Sequence, residues 1–277
     1  MIKKFNWQTI FFLAVTTIGT LVGTPIYMWH FGVSFADVIL FASFFITTSM
    51  GITVGYHRLF SHTSYKTNRL MRFIVLFFGA AAFQQSALTW ASTHRDHHRH
   101  ADTDLDPYGI HKGFFYAHIG WMLFYKHDPD FANVADLRKD ALIRHQHRFY
   151  HAWAFTAGVL LPVAIGASFG HAGGAFLMAV CARIALVHHA TFCINSFAHM
   201  FGDAPHDKHA TARDNWFMAL ITNGEGWHNF HHRHPSDYRN GIRWYHWDPS
   251  KWTIAFLAWL GMAWDLKRAS SSNPRNS

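Results

Sequence analysis

Three groups of closely spaced histidines are the residues in this sequence whose types and spacing could do chemistry. The groups are His57 and His62 in HRLFSH, then His94, His97 and His98 in HRDHH, then His228, His231 and His232 in HNFHH. The second and third groups share the spacing HxxHH, whose positions i, i+3 and i+4 lie on one face of an α-helix. Three imidazoles on one helical face converge on a small volume, and this arrangement is typical of a metal site.

The first pair has a different spacing. His57 and His62 stand five residues apart, and positions i and i+5 stray from one face of an ideal α-helix. This spacing suits a helix end or a locally distorted turn.

The number of clustered histidines predicts two metal ions. The chain has 24 histidines among 277 residues, and eight of them belong to the three groups. A zinc ion takes four ligands in structural sites, or three and a water in catalytic ones. Eight imidazoles therefore indicate two metals, each with several nitrogen ligands and an open position. Imidazole suits zinc, copper, iron and nickel, so the ligand type leaves the metal open.

Long apolar runs must position these histidines. The chain is 50% hydrophobic and only 14% charged, whereas a soluble domain carries about a quarter of charged residues. Runs at about 9–29, 36–56, 152–169 and 174–196 are long enough to cross the roughly 30 Å core of a bilayer. The links between the first two runs and between the last two contain no Lys or Arg. The positive-inside rule therefore puts these links outside and both termini, with the active site, on the cytoplasmic side.

A fifth apolar run, 73–93, does not fit as a simple span. As a span it would separate the first histidine group from the second by the thickness of the membrane, and they could not share a site with bonds near 2 Å. Gln84, Gln85, Ser86 and Thr89 also suggest a segment lined by protein. We therefore interpret this run as re-entrant or peripheral.

The predicted fold is an all-α integral membrane protein with four transmembrane helices, a re-entrant or amphipathic helix and a cytosolic helical lobe. Residues 1–265 form a single domain, whose lobe comprises 94–150 and 199–265, and 266–277 form a disordered tail. Cys181 and Cys193 lie roughly 18 Å apart on a helix and cannot pair there. The net charge of +8 favours an anionic membrane face or an anionic substrate over nucleic acid.

Four motifs around the histidines resemble those of the integral-membrane fatty-acid desaturases. They are GITVGYHRLFSH, HRDHHRHADTDLDPYG, NSFAHMFG and GEGWHNFHH, and they are similar to the acyl-CoA Δ9-desaturase (stearoyl-CoA desaturase-like) branch. The similarity runs from about residue 38 to 265.

The resemblance implies a di-iron centre with nine histidine ligands. Eight are the clustered histidines, the ninth is His199, and Asn195 matches a position that contacts the centre through water. The implied reaction introduces a cis double bond into a saturated acyl chain of acyl-CoA, using O2 and two electrons, with no catalytic side chain beyond the metal ligands. The sequence shows no flavin motif or CxxC iron site, so a ferredoxin, a rubredoxin or a cytochrome b5 type protein is the expected external donor.

Other polar residues near the histidines are weaker candidates. Asp102, Asp106 and Glu225 could accept hydrogen bonds that orient ligand imidazoles, although the aspartates also suit a polar turn closed by Pro107. Arg183, inside the last apolar run, is either paired and buried or shifted toward the interface, where it snorkels. Arginines suit the phosphates of a CoA headgroup, and the candidates are Arg58, Arg95, Arg144 and Arg148.

Three other functions compete with this interpretation. An acyl-lipid desaturase and a lipid or alkane hydroxylase of the same superfamily use similar histidine groups. A histidine-rich metal transporter would place its ligands inside the spans, whereas these histidines lie at span ends and in the lobe. The acyl chain length and the position of the double bond cannot be read from the sequence.

Overall fold

The computed structural model describes residues 5–124, 129 and 131–269. The segment 266–277, expected to be a disordered tail, is partly held in place. The amide of Lys267 donates to the carbonyl of Ser64 (2.9 Å) and the amide of Ala269 donates to Asp237 (2.8 Å). The remainder of that tail, 270–277, lies outside the described residues.

The described chain is built almost entirely of helices. In chain order we label them α1 (Trp7–Phe31), α2 (Phe35–Ser61), α3 (Arg69–Ala80), α4 (Ala87–His100), α5 (116–124), α6 (Ala141–Arg148), α7 (Tyr150–Ser168), α8 (Ala172–His199), α9 (Trp216–Ile221), α10 (His228–Arg233) and α11 (Pro249–Trp259). Short 3-10 turns lie at Ile110–Lys112, Ala132–Val134 and Leu137–Lys139. Strands β1 (Lys66–Thr67) and β2 (Ala263–Trp264) pair antiparallel and tie the chain after α2 to the end of the lobe.

The helices α1, α2, α7 and α8 are long and apolar enough to cross a membrane. They contain 25, 27, 19 and 28 residues, with mean hydropathy between 1.4 and 1.8. The predicted fold class is therefore confirmed, and the four helices extend one to five residues beyond most ends of the predicted runs.

Helix α8 occupies the centre of the bundle and packs against α1, α2 and α7. Small residues permit this close packing, as is usual between membrane helices. A side chain at Gly19 would meet the Cys181 sulfur at 2.8 Å, and one at Gly23 would meet Leu177 at 2.9 Å. Cys181 is a free thiol, as is Cys193, in agreement with the expectation that they do not pair.

Arg183 of α8 is fully buried in the bundle (0% exposed). Its guanidinium donates hydrogen bonds to the carbonyls of Ala81, Gly158 and Ala179 and to the hydroxyl of Thr48. These partners belong to α2, α7, α8 and the turn after α3. Of the two interpretations of Arg183, the structure has the paired and buried one, and the side chain does not snorkel.

The apolar run at 73–93 forms parts of two helices. α3 packs antiparallel on the C-terminal half of α2, since Gly51 lies against Gly79 and Gly55 against Val75. The chain then turns at 81–86 and returns as α4, whose N-terminus is capped by the Ser86 side chain. Helices of 12 and 14 residues are too short to span a bilayer. The membrane position of this segment stays a prediction, which the return of the chain toward the same end of α2 supports.

The C-terminal lobe is fixed to the C-terminal end of α2. The Ser250 hydroxyl, at the start of α11, donates to the hydroxyl of Thr53 in α2 (2.8 Å). The buried side chain of Ile254 packs in the same core cluster as Ile52 and Tyr56 of α2. This contact brings the third histidine group to the first two.

Candidate metal centre

The first histidine pair lies on a stretch of π-helix at the C-terminal end of α2. This stretch spans Gly51–Ser61, and π-helical turns bond residue i to residue i+5. The amide of His62 accordingly donates to the carbonyl of His57 (3.1 Å). The wider turn puts the two imidazoles on one side of the chain, with ring centroids 4.8 Å apart. The expected local distortion is therefore present, and it makes the five-residue spacing suitable for a shared site.

The structure brings all nine predicted histidine ligands into two adjoining clusters. Cluster A comprises His57, His62, His94, His98 and His231, and cluster B comprises His97, His199, His228 and His232. In each cluster the potential ligand nitrogens lie within 4.8 Å of one another. The clusters adjoin where the rings of His98 and His232 stack, with centroids 4.5 Å apart.

Each HxxHH group is divided between the two clusters. The group on α4 gives its outer pair, His94 and His98, to cluster A and its middle histidine, His97, to cluster B. The group on α10 does the reverse, because its middle histidine, His231, belongs to cluster A. Both helices thus serve both clusters and fix the clusters relative to each other.

The spacing of the Nε2 atoms fits a metal ion in each cluster. In cluster A, His94 Nε2 lies 2.9 Å from that of His62 and 3.1 Å from that of His98. In cluster B, His228 Nε2 lies 3.0 Å from that of His199 and 3.1 Å from that of His232. Two nitrogen ligands bonded at about 2.1 Å and at right angles lie about 3 Å apart. A neutral imidazole has only one N–H, so a cation between the facing lone pairs accounts for this arrangement better than mutual hydrogen bonds.

The environment keeps most of the clustered imidazoles neutral. Burial, and then repulsion between neighbouring imidazoles, lowers the pKa of six of them well below the ordinary value: His62, His94, His98, His228, His231 and His232. A metal binds the neutral imidazole. These six side chains are therefore ready to bind a metal ion at neutral pH without first releasing protons.

In cluster A, two histidines have a polar partner at Nδ1, on the far side of the ring from the cluster. His57 Nδ1 lies 2.9 Å from Glu225 Oε2, and His94 Nδ1 lies 3.3 Å from the Tyr108 hydroxyl. Burial would raise the pKa of the Glu225 carboxyl, but His57 and Arg58 hold it below its usual value. A carboxylate at Nδ1 fixes the proton there and leaves Nε2 free to bind a metal.

Two histidines of cluster B also have polar partners at Nδ1. His97 Nδ1 lies 3.0 Å from both oxygens of Asp106, which is 1% exposed. His199 Nδ1 lies 2.8 Å from the Thr211 hydroxyl, which in turn bonds to Asp102. Glu225 and Asp106 thus contact histidines directly, whereas Asp102 reaches His199 only through Thr211.

Two of these partners, Tyr108 and Thr211, were not predicted from the sequence. Tyr108 stands two residues after Asp106, and nothing in its type marks it as a partner of His94. Thr211 lies in a polar segment, where a hydroxyl has no distinctive spacing. The location of these residues depends on how loops fold over the clusters, and no sequence pattern reports this.

The prediction that Arg58 and Arg95 bind a substrate headgroup is wrong. Arg58 is 1% exposed and its guanidinium is enclosed by Glu225 and Asp248. Arg95 directs its nitrogens to Asp136 and to backbone carbonyls of residues 60, 61 and 133. Both side chains are therefore occupied in holding the fold.

The other two headgroup candidates lie at the surface. Arg144 and Arg148 of α6 are exposed. Arg144 donates one bond to the carbonyl of Arg138 (2.9 Å), and Arg148 lies over the ring of Phe149 at 5.2 Å. A role of these two arginines in headgroup binding stays a prediction.

A cavity of about 900 Å³ opens onto both clusters. Its lining includes His57 and His94 of cluster A, His97 and His228 of cluster B, and Asn195. Most of the lining is apolar, with Phe12, Phe83, Val187 and Phe192 from α1, the turn after α3 and α8. The volume lies within the range of pockets that enclose small molecules. An apolar chain inside it would pass beside both candidate metal positions.

Comparison with known proteins is consistent with this geometry. The family model described as "Fatty acid desaturase" matches residues 36–255. "Acyl-CoA desaturase 1" of Saccharomyces cerevisiae is 41% identical over 260 residues, which are 90% of this chain and 51% of that protein. "Probable acyl-CoA desaturase" of Schizosaccharomyces pombe is 40% identical, over 95% of this chain and 55% of that protein.

The match with a mammalian relative covers a larger share of that relative's own length. "Stearoyl-CoA desaturase 5" of Bos taurus is 37% identical over 84% of this chain and 72% of that protein. The chain spans about half the length of the two yeast relatives that it matches. The matched family region includes all nine clustered histidines.

Proposed function

Since the chain belongs to the fatty acid desaturase family, we propose that it is a membrane acyl-CoA desaturase. It introduces a cis double bond, at the Δ9 position, into saturated acyl chains for the synthesis of unsaturated fatty acids. One observation carries this proposal: a mostly apolar cavity is lined by histidines of both clusters, which each offer several imidazole nitrogens. The relatives named acyl-CoA or stearoyl-CoA desaturase favour the acyl-CoA substrate and the bond position.

The nine histidines would hold two iron ions, one in each cluster. Cluster A supplies five nitrogens and cluster B supplies four. Asn195, which also lines the cavity, would contact the centre through a water molecule. When bound, the two irons supply the activation of O2 with two electrons that removal of two hydrogens requires.

The protein positions the chain and excludes water. The mostly apolar lining of the cavity desolvates the acyl chain, and the shape of the cavity sets which methylenes lie beside its four histidines, His57, His94, His97 and His228. Glu225, Asp106 and the Thr211 hydroxyl keep protons on the outer ring nitrogens, so the inner nitrogens stay available as ligands. No side chain is needed as a nucleophile.

The remaining parts of the reaction belong to partners. The thioester headgroup carries phosphates, which the exposed arginines Arg144 and Arg148 of α6 attract at the mouth of the site. Electrons come from an external carrier of the ferredoxin, rubredoxin or cytochrome b5 type. The lipid bilayer surrounds the four spans, with both termini and the active site on the cytoplasmic side.

Fatty-acid analysis of cells that express the chain tests this function. We expect a cis-monounsaturated fatty acid with the intact chain and none with the matched His94→Ala, His98→Ala variant. A hydroxy acid would move the assignment to a hydroxylase, and a product confined to intact phospholipid in purified membranes would indicate an acyl-lipid desaturase. No product from folded protein that holds two irons and is given a competent electron donor would contradict the proposal.

A further inference from the structure

A buried ion network joins the first histidine group to the C-terminal lobe. Arg58, Glu225 and Asp248 are 1%, 3% and 0% exposed. The Arg58 guanidinium donates from Nε and Nη2 to Glu225 Oε1 (3.3 and 3.1 Å). It also donates from Nη1 and Nη2 to the two oxygens of Asp248 (3.2 and 2.9 Å). One cation therefore fixes two carboxylates that would be costly to bury alone.

Glu225 connects this network to a candidate metal ligand. Its Oε1 faces Arg58, whereas its Oε2 lies 2.9 Å from His57 Nδ1. The same Oε2 accepts a bond from the side-chain amide of Asn240 (2.7 Å). One carboxylate thus bridges two consecutive residues of α2, and its orientation toward His57 depends on Arg58.

Backbone hydrogen bonds hold the Asp248 carboxylate of this network in a fixed position. Its oxygens accept bonds from the backbone amides of Asn240 (2.9 Å), Gly241 (3.0 Å) and Lys251 (2.9 Å). The last of these caps the N-terminus of α11. Three backbone donors hold the carboxylate in place, so its position is transmitted through Arg58 and Glu225 to His57.

The network also sets the distance between two histidine groups. Glu225 stands three residues before His228, the first histidine of α10, while Arg58 stands directly after His57. The ion pair between Glu225 and Arg58 therefore fixes α10 against the π-helical end of α2. Cluster A needs this register, because it takes His57 from one element and His231 from the other.

We propose that Arg58 and Asp248 are positioning residues of the metal centre. Through Glu225 they hold the proton of His57 on Nδ1 and its Nε2 toward cluster A, and they fix the register of α2 and α10. This inference rests on the proposed function, because it assumes that the clusters bind iron. It replaces the headgroup role expected for Arg58.

Iron binding to three variants of the full chain in lipid nanodiscs tests the inference. Arg58→Lys keeps the charge but loses the two-sided guanidinium fork. Glu225→Gln keeps the shape, but its amide nitrogen must face either Arg58 or the His57 N–H, so donor meets donor. Arg239→Lys is the matched control, since Arg239 forms the same kind of fork with buried Asp237 (3.0 and 2.9 Å) and is in neither cluster.

Each metal-free protein is titrated with Fe²⁺ alone, and its melting temperature is measured before loading. For Arg58→Lys and Glu225→Gln we expect one of the two irons to bind about 10- to 100-fold more weakly and the other to bind as in the unchanged chain. The control should bind both irons normally. Should Arg58→Lys fail to fold, Glu225→Gln decides alone, because it removes no atom from the core.

Two results would overturn the inference. Unchanged affinity for both irons in the folded variants would show that His57 does not need the network. Equal weakening of both irons together with a lower melting temperature would show that the network only holds the fold. Wild-type protein that binds two irons but forms no unsaturated product would contradict the proposed function and leave this test intact.

Discussion

The amide of His62 donates to the carbonyl of His57 at 3.1 Å, within a π-helical stretch of α2. An α-helix advances 100° per residue, so side chains five residues apart point in directions 140° apart. The wider π turn brings them back to the same side, and both imidazoles enter cluster A. The π-helical turn is therefore what allows two histidines with HxxxxH spacing to enter the same cluster.

Replacing His62 should weaken the metal site of cluster A selectively. His62→Ala removes one of five nitrogens there and none of the four in cluster B. We expect purified protein to retain about one tightly bound metal ion per chain instead of two. Metal content per folded chain, measured by mass spectrometry, checks this. His100→Ala on α4 is the control, because His100 is in neither cluster, and it should retain both ions.

The division of the HxxHH groups between clusters predicts the behaviour of double variants. His97 and His228 lie on different helices but share cluster B, whereas His94 and His97 share α4 but belong to different clusters. The variant His97→Ala, His228→Ala should lose one metal ion per chain. The variant His94→Ala, His97→Ala should lose most of both. Metal titration of the two proteins under identical conditions gives the comparison.

The reverse order would contradict this division. If the pair on α4 lost one ion and the pair from α4 and α10 lost both, each HxxHH group would bind its own metal. Circular dichroism before loading guards against unfolding, which would remove both ions in either variant.

Much of the site could be predicted because the spacing of its histidines is recognisable in the sequence. The HxxHH pattern requires only that the local backbone be an α-helix, and α4 and α10 are such helices. Which histidine enters which cluster could not be predicted, because that depends on how the two helices face each other. His199 stands alone in the sequence, and only the resemblance to a family indicated it.

Arg58 shows why the charged residues were harder to interpret. An arginine at the inner end of a membrane span resembles a headgroup ligand when its partners are unknown. Its two carboxylates lie 167 and 190 positions farther along the chain, and a sequence gives no sign of such a contact. Arg95 was misjudged for the same reason, since its acceptor Asp136 lies 41 positions away.

Removing the charge of Asp106 should weaken metal binding in cluster B. Asp106 accepts from His97 Nδ1 and from the backbone amide of Tyr108. In Asp106→Asn the amide cannot offer two carboxylate oxygens to His97, and the imidazole becomes less basic and less well oriented. Loss of such a partner typically lowers metal affinity about 10- to 100-fold. Competition with a chelator of known affinity measures the change.

Asp104→Asn is the matched control for Asp106. It lies two residues away on the same segment, but its side chain is 99% exposed and pairs with His111, outside both clusters, at 3.3 Å. We expect its metal affinity to equal that of the unchanged chain. Equal weakening in both variants would mean that the charge of the segment matters and the contact with His97 does not.

Asp214 should make the stability of the lobe depend on pH. Its Oδ1 accepts from the backbone amides of Asn229 and Phe230 at the start of α10. Burial, helped by nearby Asp203 and opposed by the two amides, raises the pKa of Asp214 to about 6 from an ordinary 3.8. The native state then holds this proton more tightly than the unfolded state. Stability is fully present below pH 4 and is lost as the pH rises toward 6.

Asp214→Asn isolates this effect, because the amide oxygen can accept both backbone bonds without carrying a charge. The variant should gain stability relative to the unchanged chain as the pH rises from 5 to 7.5, by about 1 kcal/mol. In a chain of this size that corresponds to a relative increase of about 2–4 °C in melting temperature. Melting curves of both metal-free proteins in one detergent, across this pH range, measure the difference. A difference that stays constant or shrinks with rising pH would show that Asp214 is already charged in the native lobe at pH 5, with α10 and its two amides stabilising the carboxylate against burial.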